Sequence, residues 1–146
     1  MKVSILNDDQ FDEFFALVQD MVSEADFSEA NPDKHVIKML VKYSDGVVFV
    51  AESEGKLAGF IAGMVQKYFF SLKERVTDMG FYVKPEYRGS SAAIRLIQAL
   101  EQWAIKREVS DLYIGQTTAI EVEKTQRLYE HLGYRTVGFN TVKHLH

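Results

Sequence analysis

Between Val83 and Leu96 the chain reads VKPEYRGSSAAIRL. An extended apolar run meets a proline, one arginine and a string of very small residues, then turns amphipathic. This handover constrains the fold more than any other stretch. Pro85 has no N–H to give to a ladder, so the strand ends there. Ile94, Ile97, Leu100 and Ala104 then share one line of a helix, with Leu96 and Trp103 beside it. The segment SDLYIG that follows reads as a short strand. A strand, a helix and another strand in that succession imply a crossover, so part of the sheet is parallel and covered by helices.

The other segments fit that frame. Lys2–Leu6 reads as a strand. Phe11, Phe14, Phe15, Val18, Met21 and Val22 recur at helical spacing, with Asn7 or Asp8 as cap. A second helix is predicted with Asn31 as N-cap, Pro32 at the first position and Val36, Ile37, Leu40 and Val41 as its buried stripe. Val47–Ala51 and Leu57–Val65 form a hairpin across the turn Ser53–Lys56. Tyr68–Lys73 reads as a bend. RVTDMGFYVK is the next strand, with a bulge expected at Gly80. A last helix stops at Gly133, which suits the left-handed position after a helix. Tyr134–Val142 reads as a final strand or strand pair. The predicted order is βααβββαβαβ: an α/β (α+β) mixed sheet with helices on both faces, in one domain spanning 1–146.

The 146 residues include no cysteine, which excludes disulfides, thiolate metal sites and a cysteine nucleophile. Acidic residues interrupt the N-terminus before a signal peptide forms, and no run nears the roughly 20 apolar residues of a membrane span. A cytoplasmic location without membrane partners is therefore expected. A net charge of −4 disfavours nucleic acid as partner. It is compatible with a cationic small molecule, and equally with ordinary solubility.

Small residues at the opening of a helix let a phosphate approach unpaired backbone N–H groups. Gly89, Ser90, Ser91, Ala92 and Ala93 thus read as a diphosphate seat, and Arg88 can add a charge-assisted contact. The same residues also fit a well-capped helix packed closely on a sheet, with Ser90 or Ser91 as N-cap. The dinucleotide glycine fingerprint and the P-loop ending are both missing.

The stretch resembles the acetyl-CoA-binding motif of the GNAT superfamily of N-acetyltransferases, in which a strand runs into Val-x-Pro-x-x-Arg-Gly and then x-Gly-x-Gly/Ala. Val83, Pro85, Arg88, Gly89 and Ala93 match; Ser91 replaces the central glycine, and the Arg88–Ala93 variant resembles that of phage-encoded members. VFVAESEGKLAGFIAG is similar to the family's second and third strands. RLYEHLGYRTVGF is similar to its last helix and strand, through Tyr129, Gly133 and Tyr134.

The resemblance implies a mostly antiparallel GNAT-like sheet, acetyl-CoA as co-substrate and an amine acceptor, with no metal and a homodimer as one option. It implies that the diphosphate sits on Arg88–Ala93. The pantetheine arm then lies along the strand ending at Val83, and an N–H of Phe81, Tyr82 or Val83 holds the oxyanion. Tyr129 is the candidate general acid; the alternative is a core tyrosine with its hydroxyl at the rim. Asp78 is the candidate base, at the position where some members carry a carboxylate; the alternative is a solvated or substrate-binding carboxylate. Glu52 and Glu54 are weaker candidates. Asp78 and Gly80 share a face if the strand is regular. Phe14, Phe15 and Phe27 are candidates for the acceptor pocket. Asp26, Glu29 and Asp33 either recognise a cationic amine or are solvated and helix-capping. His35 and His131 read as surface residues, and His144 with His146 as a solvated tail. Three functions remain open at this level: an N-acetyltransferase, a non-catalytic acyl-CoA-binding or protein-interaction module of the same fold, and an unrelated α/β nucleotide binder.

Overall fold

The computed structural model describes residues 1–25, 27 and 31–145. In chain order the elements are β1 (Lys2–Ile5), α1 (Phe11–Glu24), α2 (Lys34–Tyr43), β2 (Gly46–Ser53), β3 (Lys56–Lys67), β4 (Glu74–Val83), α3 (Ala92–Lys106), β5 (Leu112–Tyr113) and α4 (Val122–His131). They build a mixed sheet in the order β1-β2-β3-β4-β5. The first four strands pair antiparallel; β5, reached through the α3 crossover, pairs parallel with β4. The expected fold class is therefore present. Among the described residues no helix is long and apolar enough to cross a membrane.

Alternation along the strands divides the apolar side chains between two faces. On one face, Phe11, Phe14 and Leu17 of α1 bury against Val48, Val50, Phe60, Ala62 and Tyr82. On the other, Ala92, Leu96, Ile97, Leu100 and Ala104 of α3 bury against Val47, Ile61, Val65, Val76 and Val83. The β2–β3 hairpin turns at Glu54 and Gly55, both at positive φ, the signature of a two-residue turn whose twist matches its strands.

Three expectations are corrected. Asp33, not Asn31, caps α2: its carboxylate accepts the Val36 N–H at 3.0 Å, which leaves Pro32 outside the helix. The line of α2 that meets the core is Ile37 and Val41. Val36 and Leu40 lie one residue, or about 100°, around the helix, and each is more than half exposed. Tyr134–Val142 forms no strand among the described residues. Alternating apolar residues supply a face, but a ladder also needs a neighbouring strand edge; Val137, Phe139 and Val142 are exposed instead.

Candidate active site

The site begins where two parallel strands part. β4 and β5 pair only at Val76–Leu112 and Thr77–Tyr113. At the next position the Asp78 carboxylate, not a backbone carbonyl, accepts the Gly115 N–H at 3.0 Å. The ladder ends there. Beyond it the edge of β4 from Asp78 to Val83 and the segment from Gly115 to Thr118 line a cleft of about 700 Å³, a size suited to a cofactor-sized ligand. A bulge helps turn the edge away, because an extra residue raises the local twist. Gly63 pairs with Asp78 and Ala62 with Gly80, so the extra residue is Met79 rather than Gly80. The expectation that Asp78 and Gly80 share a face is corrected for the same reason. Asp78 lies on the side of Tyr129, whereas a side chain at Gly80 would meet the Phe60 ring on the α1 side.

Tyr129 reaches this branch point from α4. Gly133 at φ +95 receives the end of that helix. Its N–H donates to the Glu130 carbonyl at 3.0 Å, and the Tyr134 N–H donates to the Tyr129 carbonyl at 3.0 Å. These two bonds form the left-handed cap that glycine favours. The Tyr129 ring stacks on Phe81 at 6.5 Å between centroids, and its hydroxyl donates to the Gly115 carbonyl at 3.2 Å. One peptide residue, Gly115, therefore holds both candidates: Asp78 through its N–H and Tyr129 through its C=O. Burial, reinforced by the nearby Asp78 charge, pushes the Tyr129 phenol well above its ordinary range, so it keeps its proton at neutral pH. Burial also raises Asp78, against the opposing effect of the Gly115 N–H, and makes it a stronger base than an exposed carboxylate.

At the other end of β4 the chain makes a single helical turn over Pro85–Tyr87 and passes Gly89 at φ +89 before α3 starts. The first helical bond runs from the Arg95 N–H to the Ser91 carbonyl at 3.0 Å. The N–H groups of Gly89, Ala93 and Ile94 have no acceptor among the described residues. Gly89, Ser90, Ala93 and Ile94 line the cleft. The Ser90 hydroxyl closes the loop, donating to the Tyr87 carbonyl at 2.5 Å and accepting the Ala92 N–H at 3.3 Å. Ser91 occupies the N-cap position without a side-chain cap bond. Ala92 is buried under the helix. Neither Ser91 nor Ala92 lines the cleft, so of the predicted seat only the flanking residues face it.

Arg88 also lines the cleft, with its side chain engaged by the protein. Its Nε–H donates to the Val83 carbonyl at 2.9 Å, and its two terminal nitrogens donate to the Glu24 carboxylate at 2.7 and 2.8 Å. Its guanidinium also lies 5.5 Å from the Tyr82 ring centroid, and the Tyr82 hydroxyl donates to Glu24 at 2.9 Å. Arg88 thus ties the loop to the end of α1 and to the end of β4. The Arg88 hydrogen bonds hold the Glu24 carboxyl below its usual range, while burial, with Glu24, pushes Tyr82 up to about 12. Glu24 was not legible in advance, since its partner lies 64 residues away.

Gln116 was missed as well. Its amide nitrogen donates to the Ile120 carbonyl and to Thr125 Oγ1, while its buried Oε1 faces no donor among the described residues. Phe27 lines the cleft as expected, but Phe14 belongs to the core and Phe15 packs beside it. Glu52 and Glu54 do not line it, and Asp33 serves as a helix cap. Asp26, Glu29 and His146, to which roles were assigned from sequence, lie outside the described residues.

Comparison with known proteins agrees with this architecture. The model of the acetyltransferase (GNAT) family matches residues 8–134. The chain belongs to that family. A curated relative, an uncharacterized N-acetyltransferase of Archaeoglobus fulgidus, is 28% identical over 87 residues, which cover 58% of this chain and 59% of the relative. The match thus spans little more than half the length of that protein. Solved structures share the fold at lower identity. A ribosomal-protein-alanine N-acetyltransferase from Brucella melitensis superposes with a TM-score of 0.74 at 21% identity, covering 99% of this chain and all of that one. The aminoglycoside acetyltransferase AAC(6')-Iy, in complex with a bisubstrate analogue, gives 0.78 at 16% identity, covering 99% and 97%. An acetyltransferase of Trypanosoma brucei gives 0.77 at 19% identity, covering 99% of each chain.

Proposed function

We propose that this chain transfers an acetyl group from acetyl-CoA to a primary amine by direct attack. The observation that carries the reading is the parting of β4 from β5 at Asp78. It exposes an unpaired strand edge between the open N–H groups of α3 and the Asp78–Gly115–Tyr129 cluster. Family membership and the CoA-containing structure of AAC(6')-Iy support the donor.

The donor set suits CoA. Amides at Gly89, Ala93 and Ile94 offer an anion site at the positive end of a helix. The edge of β4 from Asp78 to Val83, free apart from the Val83 carbonyl that accepts Arg88, suits an extended arm with amide groups of its own. An N–H of this edge is also the candidate donor to the thioester oxygen as negative charge develops on it.

An aliphatic ammonium, with a pKa of about 10, must lose a proton before it attacks. Asp78, raised by burial, is the base assigned to that proton. The C–N bond then forms, the tetrahedral intermediate collapses and the C–S bond breaks. The leaving thiolate takes the Tyr129 proton, which the buried phenol holds at neutral pH until negative charge develops on the departing sulfur. Solvent takes the second nitrogen proton of the tetrahedral adduct, removes the first from Asp78 and returns one to Tyr129, so each turnover releases one proton.

A thiol-release assay with acetyl-CoA and a broad amine panel tests this directly. Amine-dependent release that collapses in Tyr129→Phe is the expected result. Thermal stabilisation by CoA with no release for any amine would overturn the enzyme and leave a binding module.

A further inference from the structure

The steps above leave three charged residues of the cleft without a task; Glu121 and Lys124 pair with each other at 3.8 Å, and Arg75 is the third. Arg75 stands on β4 two residues before Thr77, and both line the cleft. Its guanidinium carbon lies 4.6 Å from the Tyr68 ring centroid and 4.6 Å from that of Tyr113. The two rings meet edge to face at 6.2 Å. The Tyr68 hydroxyl donates to Asp111 at 2.9 Å and lies 3.4 Å from that of Tyr113. The arginine is thus held between two aromatic groups that are themselves anchored.

What it lacks among the described residues is a counter-ion. Arg88 and Arg107 each meet a carboxylate within hydrogen-bond distance. Among the described residues none pairs with Arg75. Its Nε is buried without an acceptor. Asp111, which partners Tyr68, accepts the Tyr68 and Ser110 hydroxyls through Oδ2 and forms no ion pair with Arg75. A stacked guanidinium is pre-organised for a carboxylate, because its fork is planar and its faces are already covered. Leaving such a donor unmet is costly unless a ligand meets it.

We propose that Arg75, gripped by Tyr68 and Tyr113, binds a carboxylate of the acceptor, which makes the acceptor an acidic or zwitterionic amine rather than a polycation. The inference rests on the acetyl-transfer reading of the same cleft. Arg75 and Asp78 are three strand residues apart, roughly 10 Å along β4, and this odd spacing sets their side chains on opposite faces of the sheet where β4 parts from β5. The acceptor's carboxylate and reacting nitrogen are therefore separated by several bonds, as in an ω-amino acid or in a lysine beside an acidic residue.

The test compares matched amines that differ only in that charge. Wild-type protein and Arg75→Gln are assayed for thiol release with 6-aminohexanoate, its primary amide, and two short peptides carrying lysine next to glutamate or next to glutamine. The wild type is expected to favour the carboxylate member by about tenfold in kcat/KM, the effect of one charge-assisted contact. Arg75→Gln is expected to erase the ratio while the KM for acetyl-CoA stays unchanged. Arg75→Lys, which keeps the charge but loses the fork, retains part of it. Preference within the free amines alone assigns a small acceptor, and within the peptides alone a protein acceptor. Equal rates for both members of each pair, or a ratio that survives in Arg75→Gln, overturns the carboxylate site and leaves the transferase intact. If no amine releases thiol, the transferase reading fails. Calorimetric titration with 6-acetamidohexanoate and its amide then decides Arg75 separately. Binding that needs both the carboxylate and Arg75 upholds the site, and equal binding or none overturns it.

Discussion

At the α3 end of the cleft, the groups facing the ligand are backbone amides drawn from one short run, with Gly89 and Ala93 at its margins. At the opposite end, Tyr68, Arg75 and Tyr113 come from a loop and two different strands, and only their side chains meet. Between them, Gly115 holds Asp78 and Tyr129 by its own N–H and C=O. The contrast has a physical basis. A diphosphate is met by any sufficiently open set of N–H groups, so local chain geometry suffices. A particular acceptor is discriminated by charge and shape, which requires side chains placed by the tertiary fold.

The largest test falls on the middle of the cleft. Tyr129→Phe is expected to lower kcat by about 100-fold or more and to leave acetyl-CoA affinity as it was; a loss below about threefold would remove Tyr129 from the acid role. Asp78→Asn should cost nearly as much. Because Asp78 is raised and acts as a base, kcat/KM should fall as the pH drops through a value above the ordinary carboxylate range. An Asp78→Asn pH–rate profile that retains this acidic limb would assign the base elsewhere.

Two further variants separate backbone from side-chain construction. Ala93→Glu sets a carboxylate against the open amides and should weaken CoA binding by about tenfold, read by calorimetry, with no effect on acceptor preference. Unchanged affinity would mean that the diphosphate sits elsewhere. Glu24→Gln loosens the Arg88 brace and should lower CoA affinity several-fold while lowering the melting temperature. Its pH signature has a definite sign. The folded Glu24 carboxyl lies below the ordinary glutamate pKa of about 4.3, held there by the Arg88 hydrogen bonds. Its contribution to stability is therefore present above that pH and is lost as pH falls through the lower folded value. In Glu24→Gln that part of the acid-induced loss should be missing from melting curves. The smallest effect is expected from Gly89→Ala. At φ +89 the added methyl costs about 1–2 kcal/mol, seen as a drop of a few degrees in melting temperature.

The same contrast explains what was legible in advance. The crossover followed from Pro85, the small residues and the apolar line of α3, all within one stretch. Tyr129 and Asp78 were singled out by the family pattern, and the fold brings them to opposite sides of one glycine. What the local pattern missed shares one origin. The Glu24 partner of Arg88 is 64 residues away. The bulge was assigned to Gly80 from propensity, whereas strand register, a property of two strands, puts it at Met79. Tyr134–Val142 has the alternation of a strand, yet alternation does not create an edge to pair with.

Taken alone, the sequence determined the division of apolar residues between two sheet faces, the handover from β4 to α3 and the open amides at that junction. Each depends on neighbours a few positions apart, where periodicity and backbone chemistry act. The tertiary structure alone decided where β4 leaves β5, that Arg88 braces Glu24, and that Arg75 stands between two tyrosines with no counter-ion among the described residues. Those outcomes depend on which distant segments share a register and a face, and no local pattern encodes that.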